Sequence, residues 1–312
     1  MEDLIFFDNG APAGIVAPST LHADYNGLKY INGPAGIYEL SHGNELSLQH
    51  ALRASGSLIP GSEPEIAKVR EALENPETSR TTSYLLCNAQ TCRDVIEDLN
   101  NLRNASVVIA GCGGIGSAVA LLLAGSGVKK LTLIDPDVIE KSNLNRQLFW
   151  TLNDINKPKV TTLRKVITER FENIVIKTEQ SNVTIEDLTR ICSDGVHALA
   201  VTADSPGTLA YDSKNVCKSC NIPVVSGGYN HDSMMLFTFT PGNYLSSSST
   251  HGLNWKKLPS AIMPSYGPMN LLLASEIANR IISTIAVRTF NSPFPSIKKW
   301  KIGESPAITK LA

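Results

Sequence analysis

The sequence predicts an α/β fold, built on a mostly parallel sheet with an antiparallel extension and preceded by a small hairpin-rich domain. Two observations carry that expectation. From residue 106 onward, short apolar runs (SVVIAG, KLTLID, NIVIKTEQ, HALAVTA, IPVVSG) alternate with amphipathic segments, the pattern of strands covered by helices on both faces. Residues 1–75 instead set short apolar runs (DLIFF, GIVAP, LKYI, GIYEL) between turn formers (NGAPAG, NGPAG, SHGN, IPGSEP), as hairpins require.

Three segments follow from this reading: a small N-terminal domain over 1–75, a linker and helix over 76–105, and a nucleotide domain over 106–312. In the last, SVVIAG leads through a glycine turn into a helix, KLTLID is the second strand, and KPKVTTLRKVITERF the next helix. NIVIKTEQ, TIEDLTRICS, HALAVTA, a helix ending in VCKSCN, and IPVVSG continue the alternation. SMMLFTFTPG then reads as an antiparallel strand, and 241–265 as a long polar loop of the kind that is usually functional or disordered. The stretch GPMNLLLASEIANRIISTIAVR is interrupted by Asn270, Glu276, Asn279 and Arg280 and reads as a core helix, not a membrane span.

The 312 residues are 42% apolar, enough for one large core or one large and one small. With Lys+Arg 28 against Asp+Glu 29, the chain has no global field to hold a nucleic acid backbone or an anionic membrane, and neither is expected as a partner. MEDLIFFDNG lacks a basic n-region and an apolar h-region, so a cytoplasmic location is expected. The six cysteines lack the density of a disulfide scaffold. Cys217 and Cys220 form a single C-x-x-C, which is read as helix packing because a zinc site needs four ligands.

Gly111, Gly113, Gly114 and Gly116 lie in GCGGIG, where glycine lets the backbone turn tightly and approach a phosphate at a helix N-terminus. Asp135 closes the second strand, where an acid can hold ribose hydroxyls. These two features alone fit an NAD-dependent oxidoreductase equally well. The block after Asp135, IDPDVIEKSNLNRQLFW, decides for a triphosphate, because it sets Asp137, Asn143, Asn145, Arg146 and Gln147 beyond the strand's carboxyl end. Arg supplies a fixed fork of donors to phosphate oxygens, and the amides add neutral donors. Lys159 stands near a helix start, and Asp204 in TADSP at the carboxyl end of a later strand, where an acid can hold Mg²⁺ against phosphates.

Together the Rossmann-like glycine loop, the SNLNRQ block, the Lys159 helix and TADSP resemble the ThiF/MoeB and ubiquitin-activating adenylation enzymes over roughly residues 78–290. The resemblance implies ATP·Mg²⁺ as cofactor and transfer of AMP to a carboxylate. Asp135 would then contact ribose, Asn143, Arg146, Gln147 and Lys159 the triphosphate, and Asp204 the metal. Arg80 in PETSRTTSY matches an arginine that family dimers reach into the partner's phosphate site, which implies a homodimer. Glu77 stands where a first arginine of that pair would be.

No cysteine follows Cys220, which argues against the thiol relay of sulfur-carrier and ubiquitin-like adenylyltransferases. Ser246, Ser249, Ile308 and Leu311 occupy the positions of the family's two zinc-binding C-x-x-C pairs, so the zinc site is expected to be absent. LIPGSEP and TADSP match short motifs of the peptide-modifying branch that acts on microcin C precursors, and the zinc-less pattern is most similar to the pantocin A type. That branch implies a precursor peptide as partner, its leader docked on 1–75 and carboxylates such as glutamate side chains as acceptors. His251, Trp255, Lys256 and Lys257 would meet an acidic peptide from the 241–265 loop, and His231 would be either a base in a later cyclisation or a turn residue. A non-catalytic scaffold would be expected to lack some of Arg146, Lys159 and Asp204, all of which are present.

Overall fold

The computed structural model describes residues 2–40, 45–243, 264–290 and 294–301. The chain forms two compact units, Met1–Asn104 with Ser283–Ser292, and Ala105–Ile282 with Pro293–Ala312.

The first unit opens with the strands β1 (Ile5–Asp8), β2 (Ala11–Val16), β3 (Leu21–Tyr25), β4 (Leu28–Gly33) and β5 (Gly36–Leu40). Asn9-Gly10 and Asn26-Gly27 have φ of 51°/80° and 52°/80°, the left-handed pair that a two-residue hairpin turn needs. Next come α1 (Glu45–Ala54), β6 (Leu58–Pro60), α2 (Glu63–Glu74), α3 (Ser79–Leu86) and α4 (Cys92–Asn104). Two antiparallel sheets result, in the orders β1-β2-β6 and β3-β4-β5. The Glu65 side chain closes the start of α2 by accepting the Ser62 N–H at 2.9 Å.

The core of this unit explains its extent. Leu85, Leu86, Cys92 and Val95 of α3 and α4 share one buried cluster with Ile15, Ile59, Ile66 and Val69. The compact unit therefore runs past residue 75 to Asn104, and α3 and α4 belong to it rather than forming a linker segment.

The second unit contains β7 (Ser106–Ala110), α5 (Gly116–Gly125), β8 (Lys130–Ile134), α6 (Lys159–Thr168), β9 (Val175–Glu179), α7 (Ile185–Cys192) and β10 (Ala198–Val201). After these come α8 (Leu209–Asp212), α9 (Lys214–Cys220), β11 (Val224–Asn230), β12 (Ser233–Phe239), α10 (Gly267–Ile285) and β13 (Ile297–Lys301). The sheet order is β13-β12-β11-β10-β7-β8-β9, with β12 antiparallel to both β11 and β13 and the other neighbours parallel. Every residue of β10 is buried, as are four of the five in β7, consistent with central strands covered on both faces.

Chain order reverses between β7 and β10: β8 and β9 continue on one side, β10 and β11 on the other. Such a switch point opens a crevice at the strands' carboxyl ends, where open sheets bind ligands. His231 is exposed in the β11–β12 hairpin loop at φ 57°, the position of a turn residue. Cys217 and Cys220 lie on α9 in the packing against α7, with Cys220 Sγ donating to the Thr189 carbonyl at 3.4 Å. No group of three or more His, Cys, Asp and Glu able to hold a metal is found among the described residues. Ser246, Ser249, His251, Trp255, Lys256, Lys257, Ile308 and Leu311 lie outside them. No described helix is long and apolar enough to cross a membrane.

The last residues of α10 and the segment after it belong to the first unit. There the fully buried Asp98 of α4 accepts the Thr289 N–H and hydroxyl, both at 2.7 Å, and the Arg288 N–H at 3.3 Å. Removing this carboxylate orphans buried donors, so Asp98→Ala should lower unfolding free energy by about 3 kcal/mol, with Asp98→Asn losing less. Urea titration measures it, and a loss under about 1 kcal/mol for the alanine variant would contradict the assignment.

Candidate active site

Three loops meet at the switch point. The first, from Gly111 to Gly116, leaves β7 and enters α5. Gly111 has φ 93°, and a Cβ there would stand 2.5 Å from the Ala203 nitrogen. A Cβ on Gly116 would collide with the Gly111 carbonyl oxygen. Both glycines are thus required by the packing of the loop on itself and on the chain leaving β10. Gly113 is different, because a Cβ there would meet only Gln147 Nε2, at 3.8 Å, leaving its backbone open for approach.

The second loop leaves β8 with Asp135. Its Oδ2 accepts the Cys112 N–H at 2.6 Å and its Oδ1 the Asp137 N–H at 2.9 Å. Lys159, the first residue of α6, is buried and sets Nζ 2.6 Å from Asp137 Oδ2 and 3.9 Å from Asp135 Oδ1. Burial pushes the Asp135 carboxyl above its ordinary value, opposed by the Lys159 ammonium and the amide donors. Asp135 therefore clamps the glycine loop to β8, in addition to any contact with a ribose.

The SNLNRQ block forms short turns beyond Asp137. Asn143 is buried and its Oδ1 accepts the Glu140 N–H at 3.1 Å, closing a 3₁₀ turn. Arg146 Nη1 donates to the Ser142 carbonyl at 2.6 Å and to Asn145 Oδ1 at 3.1 Å, so the other edge of the fork has no protein partner among the described residues. Gln147 Oε1 takes the Trp150 Nε1 proton at 2.7 Å, which turns its amide N–H₂ away from the indole, and that nitrogen faces Gly113.

The third loop leaves β10. The amides of Thr202 and Ala203 donate to the Ala110 carbonyl at 2.8 and 3.0 Å, and Thr202 Oγ1 donates to the Gly111 carbonyl at 2.8 Å. Asp204 follows, exposed, one residue beyond this contact with the glycine loop. A single hard-oxygen ligand suits Mg²⁺, which is commonly bound through one or two carboxylates, substrate phosphates and water. Arg80 is exposed on α3 in the first unit.

Sequence reasoning missed residues brought to the glycine loop from far along the chain. Asn270 of α10 packs on Gly114, and Gly267 on the backbone of Arg146. Tyr229 at the end of β11 donates to Asn270 Oδ1 at 2.9 Å. The polar residue before the apolar run LLLA, in GPMN, was the one available signal.

Fold and site define an open-sheet protein with a glycine-rich loop at its switch point. The chain belongs to the ThiF family, whose model matches residues 89–302. The sulfur carrier protein ThiS adenylyltransferase of Escherichia coli is 30% identical over 148 residues, which span 47% of this chain and 57% of that protein. The chain thus spans little more than half of this curated relative. E. coli MccB, crystallised with AMPCPP and MccA, is 22% identical with a TM-score of 0.68, covering 95% of this chain and 98% of its own. PaaA is 17% identical with a TM-score of 0.65, covering 92% and 96%. At these identities the two structures establish the shared fold.

The raised carboxyl of Asp135 has a signed consequence. Its native pKa lies above the ordinary 3.8, so the native state holds this proton to higher pH than the unfolded chain does. Stability from this group is then greatest at low pH and declines as pH rises through the native pKa. The stability of wild type relative to Asp135→Asn should fall as pH rises above the ordinary carboxylate range, measured by urea titration. A difference that grows with pH would contradict the burial of this group.

Proposed function

We propose that this chain uses ATP·Mg²⁺ to adenylate a carboxylate of a ribosomally made precursor peptide, in the biosynthesis of a peptide natural product. The observation that carries the reading is the donor set at the switch point: Lys159, the edge of Arg146 that has no partner among the described residues, and the Gln147 amide, beside an open Gly113 backbone. An anionic carboxylate must approach an anionic α-phosphate, so charge neutralisation and alignment are the catalytic needs, and no protein nucleophile is required. The carboxylate oxygen forms a bond to the α-phosphorus, the bond from that phosphorus to the bridging oxygen breaks, and pyrophosphate leaves with both electrons.

In this reading Lys159 exchanges its Asp137 partner for a phosphate oxygen, Arg146 and Gln147 hold the triphosphate, Asn143 fixes their turn, and Asp135 meets the ribose. Asp204 would hold Mg²⁺, which supplies charge compensation on the phosphates. The copy-exchanged arginine of a homodimer would be Arg80. The leader is assigned to the first unit, where β3 and β5 are the outer strands of their sheet. One face of that sheet presents Leu21, Tyr25, Leu28 and Ile37 to solvent, while Ile31 on the other face is buried in the core. An extended leader can add to such an edge through main-chain hydrogen bonds. MccB crystallised with MccA supports a peptide partner by analogy of fold.

The ThiS adenylyltransferase relative favours a second reading, adenylation of a sulfur-carrier protein. The described cysteines argue against a thiol step in it. Burial lifts Cys217 to about 12, far from the thiolate a relay needs, and shifts Cys220 in the same direction.

The purified protein should exchange labelled pyrophosphate into ATP only with its peptide present, and Asp204→Ala should abolish the exchange. Mixing Arg80→Ala and Asp204→Ala chains should restore up to about half the normal rate per mixed dimer, since one of its two sites is intact. Exchange supported by a sulfur-carrier protein and not by peptide would favour the second reading, and NADH binding without ATP binding would overturn both.

A further inference from the structure

Asn270 has no role in the adenylation chemistry described above, yet it is an amide placed where a helix normally buries hydrocarbon. It is 2% exposed and shares the inward stripe of α10 with Leu273, Ala274 and Ile277, all buried. A buried amide at such a position is costly unless it is hydrogen-bonded. Here it is: the Tyr229 hydroxyl receives the Tyr266 N–H at 2.7 Å and gives its own proton to Asn270 Oδ1 at 2.9 Å. That assignment turns Nδ2 the other way, towards Ser265 Oγ at 3.4 Å and towards Gly114.

The contact with Gly114 is close enough to dictate the residue there. Gly114 is not among the glycines with positive φ, so its backbone conformation is one any residue can adopt. A Cβ at 114 would nevertheless collide with Asn270 Nδ2 and stand 3.0 Å from its Cγ, with the Arg146 carbonyl oxygen at 3.5 Å. One helical turn away, the Gly267 Cβ position is 3.6 Å from Arg146 Cα. The start of α10 therefore fills the angle between the glycine loop and the turn that carries Arg146.

We propose that Asn270 is a positioning residue for the nucleotide: oriented by Tyr229, its amide seats Gly114 and so sets the spacing between the glycine loop and Arg146. The requirement for glycine at 114 then comes from Asn270, whereas at 111 it comes from the Ala203 backbone and at 116 from the Gly111 carbonyl. Because Tyr229 is the penultimate residue of β11 and Asn270 lies in the first turn of α10, the same pair links the glycine loop to the adjoining strand end of the sheet. The inference rests on the ATP reading, and its test separates the two.

Equilibrium binding of ATP is measured for wild type, Gly114→Ala, Asn270→Ala, the double variant and Tyr229→Phe, each with its melting temperature. Gly114→Ala should weaken ATP binding by about tenfold or more, a loss near 1.4 kcal/mol. The double variant should recover to within about threefold of Asn270→Ala alone, because the shortened side chain leaves room for the new methyl. Tyr229→Phe keeps the ring and removes only the orienting donor. It should raise the KM for ATP by about threefold in pyrophosphate exchange while melting within a few degrees of wild type.

A double variant that binds ATP as poorly as Gly114→Ala would overturn the proposal. If that variant does not fold, an unchanged KM in a normally melting Tyr229→Phe overturns it equally. Wild type that binds no ATP would instead refute the adenylation reading itself.

Discussion

The site depends on one carboxylate. Asp135 accepts the Cys112 and Asp137 amides at once, and so holds the loop after β7 to the loop after β8. The rest of the glycine loop's course is set by the Gly111 N–H on the Ile134 carbonyl at 2.8 Å, by the chain leaving β10 and by the packing of Asn270 on Gly114. Lys159 completes the arrangement by standing 3.9 Å from Asp135 and 2.6 Å from Asp137, which carries the start of α6 into the same cluster. Two consecutive crossovers of the sheet are thus registered by two acids and one amine.

This arrangement reconciles opposing electrostatic demands. On the proposed reading a phosphate site needs positive charge, yet an isolated buried ammonium is costly; Lys159 is paired with Asp137, whose side chain is 61% exposed. An exposed partner can be exchanged for a phosphate oxygen at little cost, because water takes over the released carboxylate. Asp135 cannot be exchanged in this way: it is buried and its oxygens serve the backbone. The two acids of the IDPD run are one clamp and one placeholder. Arg146 is prepared in a related manner, with one edge of its fork spent on the Ser142 carbonyl and Asn145, which fixes the plane of the other.

The strands of the second unit were legible because each is an apolar run bounded by a turn or a helix. SVVIAG, KLTLID and HALAVTA begin and end within a residue or two of β7, β8 and β10. β13 was not, since IKKWK is an edge strand with alternate residues exposed and reads as a charged segment. The extent of the first unit was missed for a different reason. The apolar face of α4 pairs with Ile66 and Val69, a tertiary choice that periodicity does not encode. At the site, the residue types of GCGGIG, SNLNRQ and TADSP carry the proposal of a triphosphate, but they do not give the reasons for the individual glycines. Gly111 answers to Ala203 and Gly114 to Asn270, contacts between residues far apart in the chain that only the folded sheet brings together.

The central claim is that a peptide carboxylate attacks the α-phosphorus of ATP, and an isotope label follows that event directly. Peptide carrying ¹⁸O in its acceptor carboxylate would be converted with unlabelled ATP and the nucleotide products weighed. The account predicts AMP containing one ¹⁸O, since the acyl oxygen stays on phosphorus when the mixed anhydride is consumed. Label appearing in inorganic phosphate alongside ADP, or AMP free of label, would contradict it.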